Sequence, residues 1–361
     1  MDLASLLRPE LAELRAYVPE QHQGVVKLDA NEAPPLRSRE LSEIALRAIS
    51  RVAMERYPDA RATELREAIA ARSGITAAEI FVGTGSDEVI ALLCTALSRP
   101  RGRNPAGVIL SPSPSFVMYR VTARAHGLKA VEVPLDAAWD LDVRTMSLAI
   151  ETMQPNVVFI ASPNNPTGNV MTPDKVAAIV AAAPSALVVI DEAYADYAGK
   201  SVRALRKAHD NVAILRTVSK LGLAALRVGW LEADPALVAE LDKARQPFNV
   251  SAVSQAAAAA VLREGAIHLQ EIVETVVAER KRLSGALGNM RGVSVTPSDA
   301  NFLWLRTERP AEDVHAGLLA HGVLCRSFHQ SGGRLKNQLR VTVGLAAEND
   351  RLLDALGKVL A

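Results

Sequence analysis

Residues 186–194 read ALVVIDEAY. Five apolar residues, with no alternation between faces, run straight into a carboxylate, Asp191. A strand that is apolar on both sides is covered on both sides, as strands are inside a parallel sheet. An acid at the end of such a strand is costly to bury without a partner, so Asp191 marks a place where something is held.

The same pattern recurs outward from this stretch. EIFV (79–82) leads into GTGSDE (83–88), GVIL (107–110) into SPSPSF (111–116), NVVFIA (156–161) into SPNNPTG (162–168), and NVAIL (211–215) into RTVSK (216–220). Helix-like stretches such as DEVIALLCTALS (87–98) and PDKVAAIVAAA (173–183) lie between. Strands alternating with helices predict an α/β fold with a large, doubly wound, mostly parallel sheet. In such a sheet the carboxyl ends of the strands share one edge, and ligands bind there. Five polar, turn-rich segments meeting along one edge predict a site.

Past residue 250 the texture changes. A helical stretch is predicted from about 252 to 290, with AAAAAV (256–261) as buried helix. GVSVTP, NFLWLR, GVLCRSF and QLRVTVG then read as short strands, with the helix-like AEDVHAGLLAHG among them. These form a smaller α+β unit, to which the first fifty residues contribute an arm and a helix. The predicted division is therefore 1–50, 51–250 and 251–361.

Composition narrows the function. The 361 residues are 49% hydrophobic, with 41 basic against 40 acidic side chains and a net charge of +1. No field of one sign draws in nucleic acid or an anionic membrane. Aromatic residues are only 4%, and no apolar run reaches membrane-spanning length. Cys94 and Cys325 form no CxxC pair, which suits a reducing cytosol. The opening MDLASLLRPELAELRAY lacks the features of a secretory leader. Seven histidines show no metal-ligand spacing. A cytoplasmic protein without a metal is expected.

The polar segments carry recognisable chemistry. Gly83-Thr84-Gly85-Ser86-Asp87 opens a helix, where small residues and first-turn N–H groups suit a phosphate. The plainer alternative is an ordinary turn capped by Ser86. Glu88 stands where a dinucleotide fingerprint needs glycine, and Gly199-Lys200-Ser201 has Tyr194 where a Walker loop needs one. Asp191 could pair with a protonated ring nitrogen, or serve only as a cap or a metal ligand. Lys220 could form a Schiff base with a carbonyl, or simply extend to solvent. Arg227, seven residues on, could fork onto a phosphate, or make a surface ion pair.

Taken together, these segments resemble the fold-type I pyridoxal-phosphate aminotransferases, and within them the histidinol-phosphate aminotransferase group. The resemblance rests on KLDANEAPP (27–35), ERYPD (55–59), GTGSDE (83–88), SPSPSFVMY (111–119), SPNNPTG (162–168), DEAY (191–194), TVSKLGLAALRVGW (217–230) and QLRVTVG (338–344), in the family's order and spanning nearly the whole chain. It implies that Lys220 carries pyridoxal 5'-phosphate covalently and moves the α-proton, while Asp191 keeps the ring nitrogen protonated. Tyr194 and Asn165 would bond the phenolic oxygen, and Phe116 would stack on the ring. Gly85, Ser86, Asp87, Ser219 and Arg227 would grip the phosphate. Tyr57 would reach it from the second subunit of a homodimer. Arg340 would bind the carboxylate of the amino donor and Arg326 a substrate phosphate, with Asn31 and Tyr17 lining the substrate side. The implied substrates are glutamate with 2-oxoglutarate, and histidinol phosphate with imidazole acetol phosphate.

Two departures stand out. Lys220 and Arg227 are one residue closer than in many relatives, and Phe116 replaces a tyrosine found in some. The same residues leave room for an aromatic amino acid aminotransferase or a threonine-phosphate decarboxylase. A cofactor-binding regulator and a plain α/β scaffold are the readings from other classes.

Overall fold

The computed structural model describes residues 5–14, 16 and 22–361. The chain first forms a two-residue strand, β1 (Val26–Lys27), and then builds a seven-stranded sheet. Its strands are β2 (Ile80–Thr84), β3 (Val108–Ser113), β4 (Lys129–Pro134), β5 (Val157–Ala161), β6 (Leu187–Asp191), β7 (Val212–Thr217) and β8 (Val228–Glu232), in the spatial order β2-β8-β7-β6-β5-β3-β4. The rest of the chain supplies β9 (Val293–Thr296), β10 (Phe302–Thr307), β11 (Val323–Leu324), β12 (Arg326–Ser327) and β13 (Gln338–Thr342). Four of these form a sheet ordered β12-β13-β10-β9, while β11 pairs with β1.

Strand β5 is buried throughout, as its sequence predicts, and so is β8. Apolar side chains pack on both sides of the sheet. Phe81, Phe159 and Leu215 belong to one cluster, Leu110, Val158 and Ile190 to another. Two strands of the large sheet, β4 and β8, are not among the five apolar runs of the sequence. In β4, with exposed Lys129, Glu132 and Pro134, the strand lies at the edge of the sheet, where polar residues and proline are tolerated. The residues of β8, VGWLE, overlap the end of the stretch TVSKLGLAALRVGW (217–230).

The direction of β8 sets the geometry of the site. It runs antiparallel to both β7 and β2, so β2 runs with the remaining five strands. The carboxyl ends of β2 to β7 therefore line one edge, and β8 alone presents its amino end there. Arg227, immediately before β8, reaches the same edge as the residues that follow the other strands.

The predicted helix over 252–290 is two helices, Ala252–Glu264 and Ala266–Gly288, interrupted at Gly265. The first is capped by the Ser251 side chain, which accepts from Ser254 N. Its buried Ala257, Ala258 and Ala259 allow close approach of the helices Ser38–Ile49 and Thr63–Ser73. The arm joins the smaller sheet region through β1, and Leu28 O accepts from Thr342 N at 2.8 Å.

Candidate active site

The helix Gly85–Ala96 starts directly after β2, with Thr84 at its cap and no side-chain cap; Ser86 lies inside its first turn. Glu88 folds back to accept from Thr84 N. Gly85 has φ +78°, and a Cβ placed on it would lie 2.6 Å from Arg227 Nη2. A Cβ on Gly229 of β8 would lie 2.3 Å from Ser86 N. Two glycines thus let a helix start, a strand and a guanidinium share a space that side chains would fill. Arg227 Nη2 also lies 3.4 Å from Asp87 Oδ2. The shortened link folds as two 3₁₀ turns, Ser219–Leu221 and Ala224–Leu226, with Gly222 and Arg227 both in the left-handed region. Ser219 is buried beside Thr217, whose Oγ1 accepts from Ser219 N at 3.1 Å.

Asp191 is the last residue of β6 and only 6% exposed. Tyr119 donates to its Oδ2 at 2.6 Å, and Ala193 N to its Oδ1 at 3.0 Å. Burial raises its pKa to about 6, against the lowering effect of these two donors, while the charges of Asp87 and Glu192 raise it further. Glu192 does a different job. It is buried against Arg216 and accepts from Ser201 and Val202, fixing the chain after β6.

Lys220 follows β7 by three residues, in the first 3₁₀ turn, and its backbone oxygen accepts from the Tyr197 hydroxyl. Its Nζ lies 3.4 Å from Ala30 O and 5.8 Å from the centre of the Tyr194 ring. The arm reaches the site with three consecutive residues. Asp29 O accepts from Arg340 Nη2 at 2.5 Å, Ala30 O faces Lys220, and Asn31 Nδ2 donates to Tyr194 OH at 2.9 Å. Asn31 is buried, with φ 54°.

The small sheet supplies the opposite wall. Arg326 on β12, Arg340 on β13 and Trp304 on β10 are register partners, so they stand in a row on one face. Arg340 Nη1 donates to Asn165 Oδ1 at 2.6 Å, and its guanidinium lies 5.5 Å from the Phe302 ring centre. Phe328 meets Trp304 edge-on at 4.8 Å. Arg334 ties this wall to the large sheet region, stacking 3.7 Å from Trp139 and donating to the carbonyls of Leu135, Asp136 and Ala137.

The structure sets Lys220 and Asn31 against Tyr194 and bonds Arg340 to Asn165; it gathers Gly85, Ser86, Asp87 and Arg227 at the helix start, near enough to Asp191 for the charge of Asp87 to act on it. Phe116 lies beside this ground, edge-on to Tyr119 at 5.5 Å. Tyr57 does not enter the site of its own chain. It is 82% exposed and stacks on Phe248 at 4.8 Å. Tyr17 lies outside the described residues. Tyr119, not singled out from the sequence, stands at the start of the helix Met118–Ala125, and only the fold brings its hydroxyl to Asp191.

Comparison with known proteins bears on the arrangement. Residues 23–356 match the family model for aminotransferase class I and II. The chain is 42% identical over 358 residues to the histidinol-phosphate aminotransferase of Chromobacterium violaceum, covering 99% of this chain and 98% of that one. It is 38% identical over 359 residues to histidinol-phosphate aminotransferase 2 of Nitrosococcus oceani, covering 98% and 97%. The crystal structure of histidinol-phosphate aminotransferase from Sinorhizobium meliloti, in complex with pyridoxal-5'-phosphate, aligns with a TM-score of 0.87 at 24% identity, over 99% of this chain and 98% of that one. That last likeness is one of fold.

Proposed function

The chain belongs to the class I and II aminotransferases, and within them to the histidinol-phosphate aminotransferase group, and from that premise we propose that it transfers an amino group between histidinol phosphate and 2-oxoglutarate, using pyridoxal phosphate held at Lys220. The observation that carries the reading is Asp191. It is a buried carboxylate that the described residues supply with a hydroxyl and an amide but no cation, as expected where a protonated ring nitrogen is to be received.

The remaining residues fit the same group. The glycine-lined start of the helix Gly85–Ala96, with Arg227 across it, suits a phosphate. Lys220 Nζ lies 5.8 Å from the centre of the Tyr194 ring, and Tyr194, Asn165 and Phe116 are the residues that would hold the cofactor's ring. When bound, the cofactor supplies the carbonyl that takes up the amino group and a ring that withdraws electrons from the reacting carbon. The protein does the rest. Lys220 would take the proton from the substrate α-carbon as general base and then deliver it, as general acid, to the carbon of the cofactor's carbonyl. Asp191 holds the proton on the ring nitrogen. Arg340 fixes the carboxylate of the amino donor, and Arg326, one strand away, takes the phosphate of histidinol phosphate. Asn31 orients the Tyr194 hydroxyl.

Two further parts belong to the proposal. The exposed Tyr57, supported by Phe248, completes the phosphate site of a second copy in a cytoplasmic homodimer. The division into 1–50, 51–250 and 251–361 is supported by the pairing of β1 with β11 and by the separate sheet at the end of the chain.

The test is a spectral titration of the purified, cofactor-loaded protein with glutamate and with histidinol phosphate. Each should convert the cofactor to its aminated form, and imidazole acetol phosphate should reverse the change. If neither amine alters the spectrum, the proposal fails. Conversion by glutamate and an aromatic amino acid, but not histidinol phosphate, would reassign the substrate.

A further inference from the structure

We propose that Tyr119 is a positioning residue for the cofactor ring, because its one phenol sets the placement of both Asp191 and Phe116. The inference rests on the reading of those two residues as ring contacts.

Tyr119 is 1% exposed and lies parallel to Phe159 of β5, with ring centres 4.6 Å apart and planes 2° apart. Phe159 is itself wholly buried, on the strand next to β6, with Val189 as its register partner. The phenol is therefore fixed to the sheet rather than to a loop. From there its hydroxyl donates to Asp191 Oδ2 at 2.6 Å. Ala193 N holds Oδ1 at 3.0 Å, so rotating the carboxylate breaks at least one bond. The ring edge meets Phe116 at 5.5 Å and 85°, which limits how that side chain can turn.

The bond is also electrostatic. The charges of Asp87 and Glu192 disfavour that of Asp191, and among the described residues the phenol is the one side-chain donor to it. Tyr119 stays a donor rather than an acid. Burial, and then the charge of Asp191, push its own pKa well above the usual value for tyrosine.

Tyr119→Phe keeps the stacking and removes one hydroxyl. In the cofactor-free protein, isotope-edited infrared spectroscopy, with Asp191→Asn as the blank, reads the protonation of Asp191. Its midpoint should rise by about one unit in Tyr119→Phe, the size expected for one charge-assisted bond. In equilibrium dialysis, pyridoxal phosphate should bind on the order of tenfold more weakly to Tyr119→Phe than to the wild type, and less than about twofold more weakly when the change is made in the Asp191→Asn background. An unmoved midpoint, or an equal loss in both backgrounds, overturns the proposal. Should Tyr119→Phe not fold, a single ring fluorine at Tyr119 in the otherwise native chain reads the same bond: its resonance should shift as Asp191 titrates, and a constant resonance counts against us. The two readings separate cleanly. If Asp191→Asn and Lys220→Ala bind the cofactor as the wild type does, the site assignment fails; if those lose affinity and Tyr119→Phe does not, only the role of Tyr119 falls.

Discussion

Arg340 donates to the Oδ1 of Asn165 across 2.6 Å, joining the small sheet to the turn that follows β5. The proposed carboxylate clamp is thereby held by a residue proposed to touch the cofactor. Arg340→Lys keeps the charge but loses the planar fork, so KM for glutamate should rise about 10- to 100-fold with a smaller change in kcat. Asn165→Ala should lower kcat as well, because it also loosens the ring. Steady-state kinetics of the two variants, side by side, check the difference.

Removing the amine at position 220 should be far more damaging. Lys220→Ala is expected to lose at least about 10³-fold in kcat, since both the covalent attachment and the proton transfer go with it. Single-turnover kinetics with histidinol phosphate measure this, and added methylamine should restore part of the rate.

Gly229→Ala places a methyl group against the backbone of Gly85 and Ser86, at 2.5 and 2.3 Å. Backbone at the start of a helix cannot swing aside as a side-chain tip can. The expected cost is about 3 kcal/mol of stability, from urea unfolding, together with weaker phosphate binding. Gly85→Ala meets the movable end of Arg227 but must hold φ +78°, so its loss should fall more on cofactor affinity than on folding.

Asp191 gives the cofactor-free protein a particular pH dependence. Its folded pKa of about 6 lies above the ordinary value of 3.8, so the native state binds the proton more tightly. The stabilisation is complete below the unfolded value and is lost as pH rises through about 6. Over that window it amounts to roughly 2–3 kcal/mol. Thermal melts from pH 4 to pH 7 should show this loss in the wild type relative to Asp191→Asn, and saturating cofactor should reduce the difference.

Arg334 bridges the two sheet regions through Trp139 and three carbonyls. Arg334→Ala should cost about 1–2 kcal/mol in urea unfolding. It should also speed proteolytic cleavage in the 328–337 segment relative to the wild type.

The sheet was legible because buried strands are written in uninterrupted apolar residues, and the site because its polar residues follow those strands directly. What the sequence hid has physical causes. The edge strand β4 mixes Lys129 and Glu132 with valines, which masks its period. The break at Gly265 is one residue in a helical pattern otherwise unchanged on both sides. Contacts made by backbone, such as Asp29 O with Arg340 and Ala30 O with Lys220, leave no mark in side-chain chemistry. Tyr119 was hidden in a different way: only the fold brings it to Asp191, 72 positions along the chain.

The arm that lies across the cleft has a consequence for biogenesis. Residues 26–31 leave the ribosome well before their partners Val323, Leu324, Arg340 and Thr342 exist. A nascent chain can complete the seven-stranded sheet while its catalytic cleft still lacks a wall, and pairings this distant are the slowest to form. Competence to bind substrate is therefore conferred only after residues 323–342 have been made, when β11 and β13 close over the arm.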